Sequence, residues 1–410
     1  MSELGLRAVS AVGFFVLLGG TVLLSTDRRA IDRRTVVGGV ALQLAIAGLL
    51  LATPIRDALL PFFERLVSLL VDGSQAGARF LFGPLLDTGP SFALGVLPLI
   101  IFMGTLFGVL YHLRLVQPIV RGISRLLSRT MGISGAEGLA AASNVFVGMI
   151  ESGIVVGPYL SRMTQSELFA FMTLGMSTIA GTVLVTYAQI LGAADYAGHL
   201  IVASLISAPA ALVVAKIMIP ETATPETADG RATAHEARAE NVIDAAAAGA
   251  LAGLRLALAV GALLIAFVAL IALANSALGG LGGLFGYPEL TLQAVLGIVF
   301  APVAALMGVP WAEAREVGAL IGVKTVLNEF IAYQDLATAI DSGRVGARSA
   351  LIASYALCGF ANFGSLAILL GGLEALAPER RSEAARLGLR SILAGTIATC
   401  LTGCLAGLIA

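Results

Sequence analysis

The chain has 410 residues, 58% of them hydrophobic and only 12% charged, with a formal net charge of −1. Soluble domains carry roughly 25% charged residues, so this composition, with a mean hydropathy of +0.94, excludes an ordinary soluble fold. The near-neutral charge offers no basic face for nucleic acid, and the class that remains is an all-α polytopic membrane protein.

Apolar runs of about 18 residues or more cross a bilayer as helices. They occur at 8–24, 35–52, 92–111, 168–191, 197–219, 256–273, 350–370 and 391–409, which predicts about eight transmembrane helices. The first run lacks a small-residue cleavage signal and leads into Arg28, Arg29, Arg33 and Arg34, so it reads as a retained helix rather than a signal peptide. Residues 55–71, with Arg56, Glu64 and Arg65 at helical spacing, predict an amphipathic helix on the membrane surface. A second interfacial helix is predicted at 116–131, where Arg121, Arg125 and Arg129 recur every four residues on one polar stripe. The polar stretch 221–240, which includes His235, reads as a flexible linker. Residues 292–307 are apolar but short and contain Pro302, and are placed along the membrane surface.

Positive residues mark the cytoplasmic side. The arginines of 27–34, 121–129 and 379–390 agree on one topology, with the N-terminus outside, most simply if 133–160 and 312–336 each enter and leave on the same side. These two segments are therefore predicted to be re-entrant hairpins. Gly148 and Gly153 break the first, and Asn328 with Glu329 interrupts the second. Each precedes a helix with a small, polar interruption, at 175–182 and at 359–365. Hairpin, broken helix, helix, occurring twice with opposite entry, is the inverted-repeat plan of secondary transporters.

The residues that carry chemistry lie in these hairpins. Glu151 and Glu329 are acids within otherwise apolar sequence. A carboxylate at bilayer depth costs a few kcal/mol or more, so it faces partners, water or solute. Lys324, one of two lysines in the chain, lies five residues before Glu329, and a structural ion pair between them is the competing reading. Cys358, Cys400 and Cys404 lie in apolar stretches, and His112, His199 and His235 are scattered; none has metal-ligand spacing, and the cysteines read as inert packing residues. No cofactor is implied.

From about residue 90 onward, long stretches resemble the concentrative nucleoside transporters, cation-coupled nucleoside importers. They are PYLSRMTQSELFAFMT (158–173), TIAGT (178–182), VFAPVAALMGVPW (299–311), KTVLNEFIAY (324–333), YALCGFANFGS (355–365) and LAPERR (376–381). The first 90 residues fit in hydropathy alone. The resemblance implies a homotrimer in the inner membrane, importing by alternating access. It divides the chain into N-terminal scaffold helices (1–112), a first transport repeat (113–219), a cytoplasmic polar linker (220–245), a linking and scaffold helix (246–290) and a second transport repeat (291–410).

By that resemblance Glu329, Asn362 and Ser365, with Asn328 beside them, match positions that hydrogen-bond ribose hydroxyls, and Phe360 and Val183 match positions lining the same pocket. The family's cation site falls on Asn144, Val147, Thr178 and Ile179, which implies Na+. One departure stands out. The family's Gly-Gln-Thr-Glu-Ala-Pro in the first hairpin is here GMIESG (148–153), so Glu151 is kept while Met149 and Ile150 replace the pair that reads the base. Base preference is left open.

Neither HExxH nor a Walker sequence occurs, which argues against a membrane-embedded enzyme. A channel would pass solute only downhill, and a receptor would need an output domain. The reading is a Na+- or H+-coupled symporter importing nucleosides, with a symporter for another ribosylated or polar small solute as the alternative.

Overall fold

The computed structural model describes residues 2–88, 92–192, 194–232, 239–287 and 289–409, and every regular element among them is helical. Seven helical segments are long and apolar enough to cross a membrane. The first two are α1 (Glu3–Leu23) and α2 (Arg33–Leu51). Each starts on a side-chain cap: the Ser2 hydroxyl accepts from the Gly5 amide, and the Asp32 carboxylate from the Arg34 amide.

Next comes α3 (Ile55–Phe82), which runs well past the surface helix predicted to end at 71 and packs on the helices at 194–218 and 97–112. The short α4 (Phe92–Gly95) leads into α5 (Leu97–His112), and α6 (Gln117–Met131) carries the predicted arginine stripe. The first hairpin consists of α7 (Gly135–Val147), α8 (Met149–Val155) and the single turn α9 (Gly157–Leu160). Its break is Gly148, whose φ of +95° and ψ of 178° suit glycine.

A broken helix follows. α10 (Gln165–Ser177) stops at the extended Thr178, and α11 (Gly181–Ile190) resumes three residues later. After it come α12 (Ala194–Met218) and α13 (Val242–Leu284). At 43 residues α13 is far longer than the 18 predicted, and at 1.5 Å per residue it reaches roughly 65 Å.

The second repeat opens on α14 (Leu292–Leu306), which turns by 116° into α15 (Trp311–Val326). A β-carbon on Gly297 would lie 2.7 Å from the Arg315 carbonyl, and one on Gly318 would lie 2.7 Å from the Ala301 amide. Residues 292–307 are therefore folded back along α15. Small residues at 297 and 318 allow the two backbones this approach. The chain breaks again at Leu327 and Asn328 before α16 (Glu329–Asp341). α17 (Ala347–Ala356) and α18 (Phe363–Leu376) form the second broken helix, interrupted where 359–365 predicted it, and α19 (Arg381–Ile409) ends the fold. The predicted span 350–370 is thus two shorter helices, and the count of eight is reached only by length if α14 and α15 are taken together.

α12, α19 and the α10–α11 helix form the core, with 78–89% of their apolar windows buried, against 17–28% for α1, α2, α5 and α13. α1 and α2 pack on α12 and α19, whereas α5 lies along α13. Within residues 1–112, then, only α5 is closely built into the α13 unit. That contact runs through glycines: a β-carbon on Gly104 would meet the Gly249 carbonyl at 2.6 Å, and one on Gly253 the Ile100 carbonyl at 2.8 Å.

The polar segment after α12 is docked where it is described. The Gly135 amide donates to the Thr227 carbonyl, and the Ala136 amide to the Thr227 hydroxyl, each at 2.9 Å. These bonds satisfy free amides at the start of α7, so residues 220–232 seal the base of the first hairpin rather than hang loose. Residues 233–238 of the predicted linker, His235 included, lie outside the described residues.

Candidate functional site

The second hairpin delivers Glu329 as the first residue of α16. Asn328 caps that helix from an extended backbone, its Oδ1 accepting from the Ile331 amide at 3.0 Å. The acid therefore sits where unpaired amides and the helix dipole favour negative charge. Both of its oxygens are held. Oε1 accepts from the Tyr187 hydroxyl and Oε2 from the Asn362 amide, each at 2.8 Å.

Asn362 repeats the device one break later. It caps α18, with Oδ1 accepting from the Ser365 amide at 2.8 Å while Nδ2 reaches Glu329. Glu329, Asn362 and Ser365 are all buried. The structure thus brings together four of the predicted ribose-facing residues, Asn328, Glu329, Asn362 and Ser365, and adds Tyr187. Lys324 does not pair with Glu329; its ammonium donates to the Ala356 carbonyl at 3.0 Å and the Thr399 hydroxyl at 2.8 Å. Val183 is buried one turn before Tyr187 on α11, and Phe360 lies in the break between α17 and α18.

A second polar group joins the first hairpin to the first broken helix. Asn144 on α7 donates through Nδ2 to the Thr178 hydroxyl at 2.6 Å, and the Ser152 hydroxyl lies 3.3 Å from Asn144 Oδ1. Thr178 ends α10, Ile179 follows in the extended break, and the Ile179 carbonyl accepts from Ser204 at 3.3 Å. Val147 closes α7, among the helix's last carbonyls. The four predicted cation ligands therefore gather at one hairpin end and one helix break. They offer only neutral oxygens (amide, hydroxyl and carbonyl), a donor set that suits a hard alkali cation.

The tip of the first hairpin packs on α10 and α18. Met149 and Gly153 are buried on α8, and with Ile150 they face Phe171 of α10 and Leu369, Gly372 and Leu376 of α18 in an apolar crevice. Glu151 is exposed, and no hydrogen bond or ion pair joins it to another side chain among the described residues.

Sequence reasoning missed two features. Tyr187 gives no signal as one aromatic in an apolar run. The other is a polar cluster beneath the first hairpin. Lys216, at the end of α12, lies 2.5 Å from Glu137, 3.1 Å from Glu221 and 3.0 Å from the Ser166 hydroxyl. Glu137 and Glu167 each complete a capping box, with Ser134 on α7 and Thr164 on α10. The Ser134 hydroxyl donates across to Glu167 at 2.6 Å, which joins the two boxes. The signals were present: both capping boxes fit the Ser/Thr-x-x-Glu pattern, at 134–137 and 164–167.

Comparison with known proteins agrees with this architecture. Residues 199–407 match the family model described as Na+ dependent nucleoside transporter C-terminus, residues 12–85 the corresponding N-terminus, and residues 93–194 a nucleoside recognition (Gate) model. The chain is 47% identical over 408 residues to the transporter YutK of Bacillus subtilis, covering 99% of this chain and 98% of YutK. It is 38% identical to the nucleoside permease NupC of Helicobacter pylori, covering 97% of both chains. Among solved structures it superposes on CNTnw in an inward-facing substrate-bound state with a TM-score of 0.92 at 42% identity, covering 98% of each chain. A CNTnw variant in an outward-facing state superposes at 0.94, covering 100% of this chain and 99% of the variant. Paired helix breaks that place polar groups inside an apolar bundle therefore have their counterpart in relatives matched along almost the whole length. The chain belongs to the concentrative nucleoside transporter family, whose members are transporters rather than enzymes.

Proposed function

We propose that this protein is a Na+-coupled symporter that imports nucleosides across the inner membrane by alternating access. One observation carries the reading: a buried carboxylate, Glu329, held by a donor on each oxygen, at the meeting point of a hairpin break and a helix break. An ionised carboxylate accepts at about four positions; with donors from Tyr187, Asn362 and its own backbone amide, Glu329 keeps about one, and the Asn362 amide keeps a second N–H. Two hydroxyls on adjacent carbons, as in ribose, satisfy that set together; a deoxy sugar leaves part of it unpaired.

Na+ would bind at Asn144, Val147, Thr178 and Ile179, where the first hairpin meets the break after α10. Its ordering of that contact would raise nucleoside affinity, and the nucleoside would tighten Na+ binding by the same factor. Glu151, exposed and without a side-chain partner among the described residues, is the alternative carrier of coupling, as a proton site. Three arginine clusters support an outside N-terminus and re-entrant hairpins. The largely unburied apolar surfaces of α5 and α13 support a homotrimeric scaffold, against which the remaining helices would move.

The test is uptake by the reconstituted protein of a nucleoside panel under separate Na+ and H+ gradients. Uridine or adenosine should accumulate above equilibrium only with Na+ directed inward. Accumulation driven by H+ alone would move coupling to an acid, and strictly downhill flux would make the protein a channel. Accumulation of another ribosylated solute but no nucleoside would favour the second reading, which the apolar Met149 and Ile150 support.

A further inference from the structure

Tyr187 is the residue the sugar site needs and that neither its motifs nor its family description assigns. It sits on α11, in the first repeat, yet its hydroxyl donates to Glu329 of the second hairpin at 2.8 Å. The ring is fully buried and cannot swing. It stacks on Tyr333 with centroids 4.6 Å apart and planes 20° apart, and Phe330 meets its edge at 4.8 Å. Tyr333 is in turn anchored, its hydroxyl donating to the Ser354 carbonyl at 3.0 Å.

Glu329, Phe330 and Tyr333 occupy one turn of α16, so a single aromatic residue from the first repeat grips that whole turn. With Asn362 on the other oxygen, the carboxylate has no rotational freedom about its last torsion without breaking a buried hydrogen bond. We propose that Tyr187 is a positioning residue: it fixes the plane of the Glu329 carboxylate so that its remaining acceptor direction and the second Asn362 N–H match a vicinal diol, and thereby sets the preference for ribo- over deoxyribonucleosides. This rests on the sugar-clamp reading of Glu329.

Without the phenol, Glu329 keeps only the Asn362 bond and turns about it. A substrate with both hydroxyls loses the matched pair, whereas a substrate with one hydroxyl finds an acceptor at any rotation. The experiment compares uridine, 2′-deoxyuridine and 3′-deoxyuridine as substrates for the full-length reconstituted protein and its Tyr187→Phe variant, which keeps the stacked ring. The KM for uridine should rise on the order of tenfold, as for loss of one charge-assisted hydrogen bond. The deoxy analogues should change much less, so that the ribo/deoxy ratio narrows. An equal loss on all three, or an unchanged ratio, overturns the proposal. Tyr333→Phe, which frees the stack from Ser354, is a milder probe and should narrow the ratio in the same direction; it decides the matter if Tyr187→Phe does not fold. Glu329→Gln separates the two claims. If it leaves uridine uptake intact, the sugar-clamp reading fails; if it abolishes uptake while Tyr187→Phe keeps the wild-type ratio, only the positioning role fails.

Discussion

Asn362, the cap of α18, and Glu329, the first residue of α16, are 33 residues apart in sequence, and their side chains meet at 2.8 Å. The contact fastens two chain breaks together, so neither group can be altered without leaving a buried partner unpaired. Glu329→Gln removes the charge and leaves one acceptor oxygen where there were two, so either Tyr187 or Asn362 loses its acceptor. Asn362→Ala removes both the clamp and the cap of α18, and loss of such a cap costs about 1 kcal/mol. Both variants should abolish uridine uptake while the protein still assembles, as judged by size-exclusion chromatography in detergent. Near-normal uptake in both would reject the sugar assignment.

Thr178 ends α10 and accepts from Asn144 at 2.6 Å. Thr178→Val keeps the shape of the side chain and removes the oxygen. If that oxygen is a Na+ ligand, the Na+ concentration for half-maximal uptake should rise about tenfold, equivalent to about 1.4 kcal/mol, with uridine KM nearly restored at saturating Na+. An unaltered Na+ response would remove Thr178 from the cation site.

Lys216 and Glu137 form an ion pair with side-chain exposures of 8% and 1%. Removing one partner of a buried pair strands the other charge and costs about 3–5 kcal/mol. Lys216→Met should therefore lower the thermal midpoint of the detergent-solubilised protein sharply. Adding Glu137→Gln to it should recover part of the loss, because the stranded carboxylate is gone. Additive losses in the double variant would show that the pair is not the source of the stability.

How much of this was readable in advance follows from the physics of each residue. Glu329 announced itself because an acid in an apolar run is costly unless used, whereas Asn362 was assigned through the family resemblance of 355–365. The breaks at 178–180 and 357–362 were readable from small and polar residues inside spanning segments. Lys216 was not, since a lysine at the end of an apolar run also fits a side chain reaching for water. Nor was the docking of 220–232, because Thr227 contributes a backbone carbonyl and a hydroxyl that composition cannot place. The packing of residues 292–307 was hidden in the same way. Their fold-back on α15 depends on Gly297 and Gly318, and only the partner backbone shows why glycine is there.

The α5–α13 contact makes a positional prediction. Gly249→Leu would drive a side chain into the backbone of α5 at Gly104, and should prevent a monodisperse preparation. Gly280→Ala, further along the same helix with nothing within 4 Å of the added carbon, should leave yield and elution volume unchanged. Equal behaviour of the two variants would mean that close approach at Gly104 and Gly249 does not hold the helices together.

Met149 and Ile150 differ from each other in a way their sequence does not reveal. Met149 is 7% exposed and lies against Gly175 and Leu369, whereas Ile150 is 36% exposed. Ile150→Thr trades exposed apolar surface for a hydroxyl that water can satisfy, and should change stability by less than about 0.5 kcal/mol. Met149→Gln places an amide in an apolar crevice, where an unpaired polar group costs about 1–3 kcal/mol, unless α8 turns to present it to solute. The double variant should then show one of two signatures. Sharpened discrimination among uridine, cytidine and adenosine with stability retained would mean that the tip turns and reads the base. A lowered thermal midpoint with an unchanged substrate profile would mean that Met149 serves packing between α8 and α18 and has no place in the pocket.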